Sequence, residues 1–296
     1  MRQIAWIPGD VAGPTLIVVG GIHGNEPAGL IAARSVLSRV SREAVRGEVV
    51  AFAGNLRGLR ANKRYLAHDL NRLWNPARLA TARGLGPFVQ DEHAELVELA
   101  LQLERVIDRA RGPVYALDLH TTSADGVPFV VVGATEAHRA FARAFPLPGI
   151  RGLEETLDGV LTRYLSELGC ITLAVEGGQS ESPQTAANLE AVIAVALAAS
   201  GVVDDVSGLA DARALLAAAR GDLPATIEVA ARHAITPEDG FRMEPGFANI
   251  QRTPGGTLLA RDASREIRAP FDGLVLLPLY QKQGSDGFFY GRAIDE

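Results

Sequence analysis

Over the first two thirds of the chain, β-branched apolar runs alternate with longer amphipathic stretches, and this pattern constrains the fold more than any other feature. Apolar runs at 15–22, 48–54, 114–120, 128–132 and 171–176 predict strands, and the stretches 28–40, 91–109, 135–145, 157–168 and 183–199 predict helices between them. Within 91–109, Leu96, Leu99, Leu103, Val106 and Ile107 recur at helical spacing, with charges on the opposite face. Strands alternating with helices in this way imply an α/β domain whose sheet is largely parallel and covered on both sides. After about residue 220 the texture changes. Pro224, Pro237, Pro245, Pro254, Gly255-Gly256, Pro270, Gly273 and Pro278 break short runs such as 257–259 and 274–277, which predicts a small all-β domain. A helix over 209–220 is expected to connect the two, so the expected domains are 1–220 and 221–296.

Composition narrows the function classes. The 296 residues are 47% hydrophobic and 22% charged, enough to bury a core without a disulfide or a structural metal. Twenty-nine basic residues against 35 acidic ones give a net charge of -6, which argues against a nucleic-acid partner. The single cysteine, Cys170, excludes an intramolecular disulfide and a Cys-rich zinc finger, and its place before an apolar strand predicts that it is buried and inert. The longest apolar run, 191–199, falls short of the roughly 20 residues that a membrane span needs. The first residues run quickly into Pro8-Gly9-Asp10, so no signal peptide is read there and a cytoplasmic setting is expected. No P-loop, Rossmann fingerprint or G-x-S-x-G elbow is present, which leaves nucleotide-driven and serine-hydrolase readings without support.

The informative polar residues fall just beyond the carboxyl ends of the expected strands, where open α/β sheets build their sites. Gly20-Gly21-Ile22-His23-Gly24-Asn25-Glu26 follows the first, Asp118-Leu119-His120-Thr121-Thr122 the third, and Glu176-Gly177-Gly178-Gln179 the last. His23, Glu26 and His120 supply two imidazoles and a carboxylate, a recurring ligand set for a catalytic zinc with an open position. The competing reading makes His23 and Glu26 ordinary helix-start residues and His120 a satisfied core histidine. Asp118 shares a strand face with His120 and either orients that imidazole or bonds to nearby backbone. Glu176 reads as a general base, or else as a capping or salt-bridged glutamate. The loop Arg64-Tyr65-Leu66-Ala67-His68-Asp69-Leu70-Asn71-Arg72 offers guanidinium forks suited to carboxylates, although alone it reads equally as a solvated basic loop. His68, His93, His138 and His233 are expected at the surface, and Trp6 and Trp74 fit either the core or a cleft wall.

Taken together and in order, Gly-Gly-Ile-His-Gly-Asn-Glu at 20–26, Arg-Tyr at 64–65, Asp-Leu-Asn-Arg at 69–72, Asp-Leu-His-Thr-Thr at 118–122 and Glu-Gly-Gly-Gln at 176–179 resemble the succinylglutamate desuccinylase/aspartoacylase family, a branch of the zinc carboxypeptidase-like hydrolases. The resemblance implies a carboxypeptidase-like three-layer α/β/α domain with a mixed, mainly parallel sheet. It also implies a C-terminal β domain capping the active-site mouth, and the segment 267–275 looks like a biotinyl/lipoyl-type barrel that lacks a suitably placed acceptor lysine. One zinc ion per chain would be held by His23, Glu26 and His120. Glu176 would act as base, Arg64 would polarise the scissile carbonyl, and Asn71 and Arg72 would hold a substrate carboxylate. The implied activity is cleavage of the amide bond of a small anionic N-acyl amino acid, of N-acetyl or N-succinyl type, with a homo-oligomer allowed. Two departures weaken strict N-acetylaspartate specificity. No arginine stands at Ser166-Glu167-Leu168, where aspartoacylase has a further substrate arginine, and Arg163 is only a loose counterpart. The C-terminal substrate tyrosine has two candidates, Tyr280 and Tyr290. Alternatives are a zinc carboxypeptidase, a deacetylase of another N-acyl amine, or a non-catalytic metal- or ligand-binding homologue.

Overall fold

Successive residues of the central strands are apolar, so each strand must bury both of its faces, and helices pack on either side. The computed structural model describes residues 1–86 and 90–294. In chain order they form β1 (Gln3–Pro8), β2 (Val11–Gly20), α1 (Ala28–Leu37), β3 (Arg46–Ala53), α2 (Leu56–Ala61), α3 (Pro76–Gly84), α4 (Glu92–Arg109), β4 (Val114–Thr122), β5 (Phe129–Val132), α5 (Glu136–Ala142), β6 (Gly149–Arg151), α6 (Leu161–Glu167), β7 (Ile171–Gln179), α7 (Pro183–Ala199) and α8 (Leu209–Arg220). Strands β8 (Thr226–Ala234), β9 (Arg242–Met243), β10 (Gln251–Thr253), β11 (Leu258–Arg261), β12 (Glu266–Arg268), β13 (Gly273–Leu276) and β14 (Asp286–Ile294) follow.

On β2 the division of labour is residue by residue. Leu16 and Val18 pack with α1 and α7 through Ala32, Val36, Val192 and Ala196. Ile17 and Val19 point the other way, onto Leu96, Leu99 and Leu103 of α4. The result is a sheet between two helical layers. Strands β3, β2, β4 and β7 are parallel neighbours, β1 adds an antiparallel edge, and β5 runs antiparallel to β7. The sheet is therefore mixed and mainly parallel at its centre, as expected.

Strand β8 pairs in parallel with β6, so β8, β14, β13 and β10 extend the same eleven-stranded sheet. A second, three-stranded sheet of β12, β11 and β9 packs on it through Leu259, Val275, Phe288 and Tyr290. Among the described residues after 221, regular structure is strand apart from one 3-10 turn at Pro237–Asp239. No described helix is long and apolar enough to cross a membrane.

The N-terminus of α4 organises the loops that reach the site. Asp91 caps it by accepting from the His93 backbone N–H at 2.9 Å. Glu92, fully buried, accepts from the backbone N–H groups of Leu66, Ala67 and His68 and from the Asn55 side chain, at 2.7–3.0 Å. Glu95, equally buried, accepts from Leu56 and Arg57 backbone and pairs with Arg2 and Arg57. The helix dipole favours both carboxylates at this end.

Three expectations need adjusting or settling. His138 is buried, because α5 packs against β5 and β7 and turns this ring inward. Trp74 is in the core, whereas Trp6 is exposed, donates to Glu48 at 2.6 Å and lies under Arg109. Cys170 is buried, and burial pushes its thiol up to about 11.

Removing the Glu92 carboxylate should loosen the 66–68 loop from the helix. Glu92→Ala leaves three backbone donors unpaired and is expected to cost on the order of 3 kcal/mol, read as a lower urea midpoint at unchanged slope.

Candidate metal centre and cleft

The cluster forms because three parallel strand ends lie side by side. Beyond β2, Gly21 adopts a left-handed conformation (φ 69°), and the chain folds back over the strand end. Gly24 packs so tightly on α2 that a Cβ there would come within 2.0 Å of the Gly58 carbonyl carbon. This turn delivers His23 and Glu26 above β4, which carries His120. Glu176 on β7 is the register partner of His120.

His23 Nδ1 lies 2.9 Å from Glu26 Oε1, and His120 Nδ1 lies 3.1 Å from Glu26 Oε2. One donor atom from each of the three residues falls within 4.8 Å of the other two, and all three side chains are buried. The far nitrogen of each ring faces another carboxylate: His23 Nε2 is 3.1 Å from Asp69, and His120 Nε2 is 2.9 Å from Asp118. Such backing carboxylates hold metal-ligating imidazoles in one tautomer and orientation. Asp118 thus takes the orienting position considered from sequence. Asp69 was not singled out for this, since it sits in an aperiodic loop where only its neighbours Arg64, Asn71 and Arg72 drew notice.

The electrostatics fit a cation. Glu26, Asp118 and Glu176 line one cleft with Arg64 and Arg72, and Asp69 stands behind Arg64. Arg64 donates to Asp69 at 3.1 Å and approaches Glu26 at 3.4 Å. Burial opposes its charge, but Asp69 and Glu26 outweigh this and hold it above its ordinary value. Burial likewise works against the charges of Glu26 and Asp69. Their histidine and arginine neighbours win, and both carboxyls stay well below the usual carboxylate range. His120 is held well above its ordinary value, because Asp118 and Glu26 overcome its burial. Two imidazoles, each backed by a further carboxylate, and the Glu26 carboxylate between them form a donor set suited to a divalent ion.

Glu176 behaves differently. Burial, reinforced by Glu26, pushes its carboxyl up to about 7 against the pull of His120, His23 and Arg64. Its Oε2 is buried and finds no hydrogen-bond partner among the described residues. The cleft in front of it holds about 950 Å³, solvent at the mouth included. Val131, Leu153, Leu157 and Phe289 give it an apolar wall, and Leu279 and Gln281 come from the 277–285 segment after β13.

All seven residues singled out from sequence, His23, Glu26, Arg64, Asn71, Arg72, His120 and Glu176, line this cleft. Two of them are already engaged. Asn71 accepts from Leu161 N–H at 2.9 Å and donates toward His120 at 3.4 Å, while Arg72 pairs with Asp286 at 3.0 Å. Arg232 holds the same aspartate at 2.6 Å. Asp286 carried no sequence signal, since 214 residues separate it from Arg72. Arg163 lies outside the cleft, beside Glu167 at an outer hollow. Tyr290 is buried in the C-terminal core with its hydroxyl on Thr253, and Tyr280 bonds to the backbone of Glu244 and Phe247, so neither lines the cleft.

A mixed, mainly parallel sheet between helical layers, with a His–Glu–His cluster at its strand ends, makes this an α/β protein with a candidate metal centre. The family profile described as "Succinylglutamate desuccinylase/Aspartoacylase catalytic domain" matches residues 12–200, and the chain belongs to that family. Succinylglutamate desuccinylase from Photorhabdus laumondii is 36% identical over 70 residues, which span 23% of this chain and 22% of that relative. The one from Burkholderia pseudomallei is 32% identical over 111 residues, 36% of this chain and 30% of the relative. These sequence matches thus span less than a third of each relative's length. The product-bound ectoine utilization protein EutE (DoeB) from Ruegeria pomeroyi superposes with a TM-score of 0.71 at 21% identity, covering 96% of this chain and 87% of that one. A succinylglutamate desuccinylase/aspartoacylase from Rhodobacter sphaeroides gives 0.71 at 18% identity, covering 98% and 88%. At these identities the structures establish a shared fold.

Glu154, also in the cleft, is held above its ordinary 4.5 by burial, against a hydrogen bond from Thr162. A carboxyl whose folded value is raised contributes stability that is complete below 4.5 and declines as pH climbs through the raised value. Glu154→Gln should therefore melt higher than the parent chain at neutral pH and show a flatter dependence of Tm on pH. Parallel curves for the two proteins would contradict this.

Proposed function

We propose that the chain is a zinc-dependent amidohydrolase that cleaves the amide bond of a small anionic N-acyl amino acid. The observation that carries this reading is Glu176: a half-buried carboxyl whose shielded Oε2 finds no hydrogen-bond partner among the described residues, set in register beside His120 and facing the same cleft as the His23–Glu26–His120 cluster. Those three residues would hold one zinc ion, which when bound supplies Lewis acidity that polarises a carbonyl and eases the deprotonation of water at neutral pH.

The chain's own residues then have distinct tasks. Glu176 takes a proton as water oxygen bonds to the amide carbon, and returns it to the amine nitrogen as the carbon–nitrogen bond breaks. Arg64 is fixed by Asp69 and faces the cleft, where its guanidinium stabilises the negative charge that develops on the carbonyl oxygen. Asp69 and Asp118 keep the two imidazoles aimed inward. Asn71 and Arg72 receive the substrate carboxylate. The products are a carboxylic acid and a free amine. A cytoplasmic setting suits such a small-molecule reaction.

Glu176→Gln should keep its metal yet lose turnover by roughly 10²–10⁴-fold, whereas His23→Ala should lose both, as measured by metal content and by hydrolysis of an N-acetyl and N-succinyl amino acid panel. Chelation should abolish turnover and added zinc should restore it. Near-normal turnover in the Glu176 variant on a confirmed substrate would refute the assignment of the base.

Asp286 competes with any substrate carboxylate for Arg72. Relieving that competition with Asp286→Asn should lower KM for anionic substrates, more for a dicarboxylic N-succinyl amino acid than for its N-acetyl counterpart, with little change in kcat. An unchanged KM ratio across the panel would remove Arg72 from substrate recognition.

A further inference from the structure

We infer a second divalent-cation site, on the outer side of the 64–72 loop, formed by His68, Asp91 and His93. It uses none of the residues of the inner cluster. His68 comes from that loop, Asp91 caps α4, and His93 lies in the first helical turn. One donor atom from each falls within 4.8 Å of the other two. Asp91 presents one oxygen to each ring: Oδ1 is 3.1 Å from His93 Nδ1, and Oδ2 is 3.9 Å from His68 Nε2. The rings stand edge to face with centroids 4.6 Å apart. A tetrahedral zinc with bonds of about 2.0–2.1 Å separates its donors by roughly 3.3 Å. The observed spacings meet that after small side-chain rotations.

The backbone holds these donors in place without any ion. Glu92, between Asp91 and His93 in sequence, turns into the core and accepts from the backbone of Leu66, Ala67 and His68. The loop bearing His68 is thereby pinned to the helix turn bearing the other two donors. Asp91 uses Oδ1 for its capping bond to the His93 N–H, which leaves Oδ2 directed at His68. His68 is 47% exposed, so the site opens to solvent and leaves positions for water.

Donor chemistry selects the ion. Two imidazoles with a single carboxylate favour zinc, nickel, cobalt or copper over magnesium or calcium, which prefer oxygen. The next residue after His68 is Asp69, which backs His23 and fixes Arg64. An ion at the outer site would therefore clamp the loop that carries Arg64, Asp69, Asn71 and Arg72 onto α4.

The test is zinc stoichiometry on the untagged chain of residues 1–296 after chelation, by calorimetry and by metal analysis of the desalted protein. The parent chain should take two equivalents. His68→Ala/His93→Ala should take one while retaining its metal-free Tm and most of any hydrolytic turnover. His23→Ala should keep the outer equivalent. The single variant His68→Ala, altered only at a half-exposed ring, should weaken the outer equivalent by roughly tenfold or more and leave the inner equivalent unchanged. Equal uptake by the parent and the double variant would overturn the inference. A parent that binds one equivalent, lost in the double variant but kept in His23→Ala, would uphold the outer site and refute the inner zinc.

Discussion

Glu26 is the tie on which the strand-end cluster depends. It is buried, and its two oxygens are shared among His23, His120, the Thr121 backbone N–H and Arg64. A carboxylate in that position costs a great deal of solvation free energy unless several donors meet it. The turn after β2, the strand β4 and the 64–72 loop all supply such donors. Their meeting point therefore follows from the need to satisfy one charge, and the orientation of both imidazoles follows in turn.

The α4 N-terminus solves a related problem in another way. Glu92 and Glu95 do not face water, as first-turn acids of a surface helix usually do. They turn inward and accept hydrogen bonds from the backbone of the 66–68 loop and of the first turn of α2. An aperiodic segment with little hydrophobic content of its own is thus held as firmly as a regular element. This explains how Arg64, Asp69 and Asn71 keep fixed places although they lie between helices and strands.

Much of this was legible in the sequence. The helices at 183–199 and 209–220 fall where the pattern places them, and α4 begins one residue inside its expected start, because Asp91 is the cap. α6 starts at Leu161 instead of 157, since the chain first makes a turn through Gly159 at positive φ. The elements that escaped notice are short or one-sided. β6 has three residues, α2 has six, and β1 is an edge strand that ends at Pro8. β8 alternates buried and exposed residues with charges such as Glu228 and Arg232, which hides it among turn-rich sequence. At the cleft, Asp118 behind His120 could be proposed from its local string, whereas Asp69 behind His23 lies in an aperiodic loop. Asp286 on Arg72 and the inward turn of His138 could not be proposed, because both arise from packing between distant segments.

The pairing of Gly149, Ile150 and Arg151 with Thr226, Ile227 and Glu228 has a mechanical consequence. A C-terminal lobe joined only by a linker could swing open as a rigid flap. Here the backbone ladder runs without a break from the strands bearing His120 and Glu176 to β14, which supplies Asp286 and Phe289. Rotating that lobe would shear hydrogen bonds in the middle of a sheet. Any widening of the cleft mouth would therefore fall to the 277–285 segment, which lies outside the ladder and is held by the Asn25, Ser123 and Asn249 side chains, by Gln283 donating to the Tyr65 carbonyl and by the Leu279 N–H on Gly287.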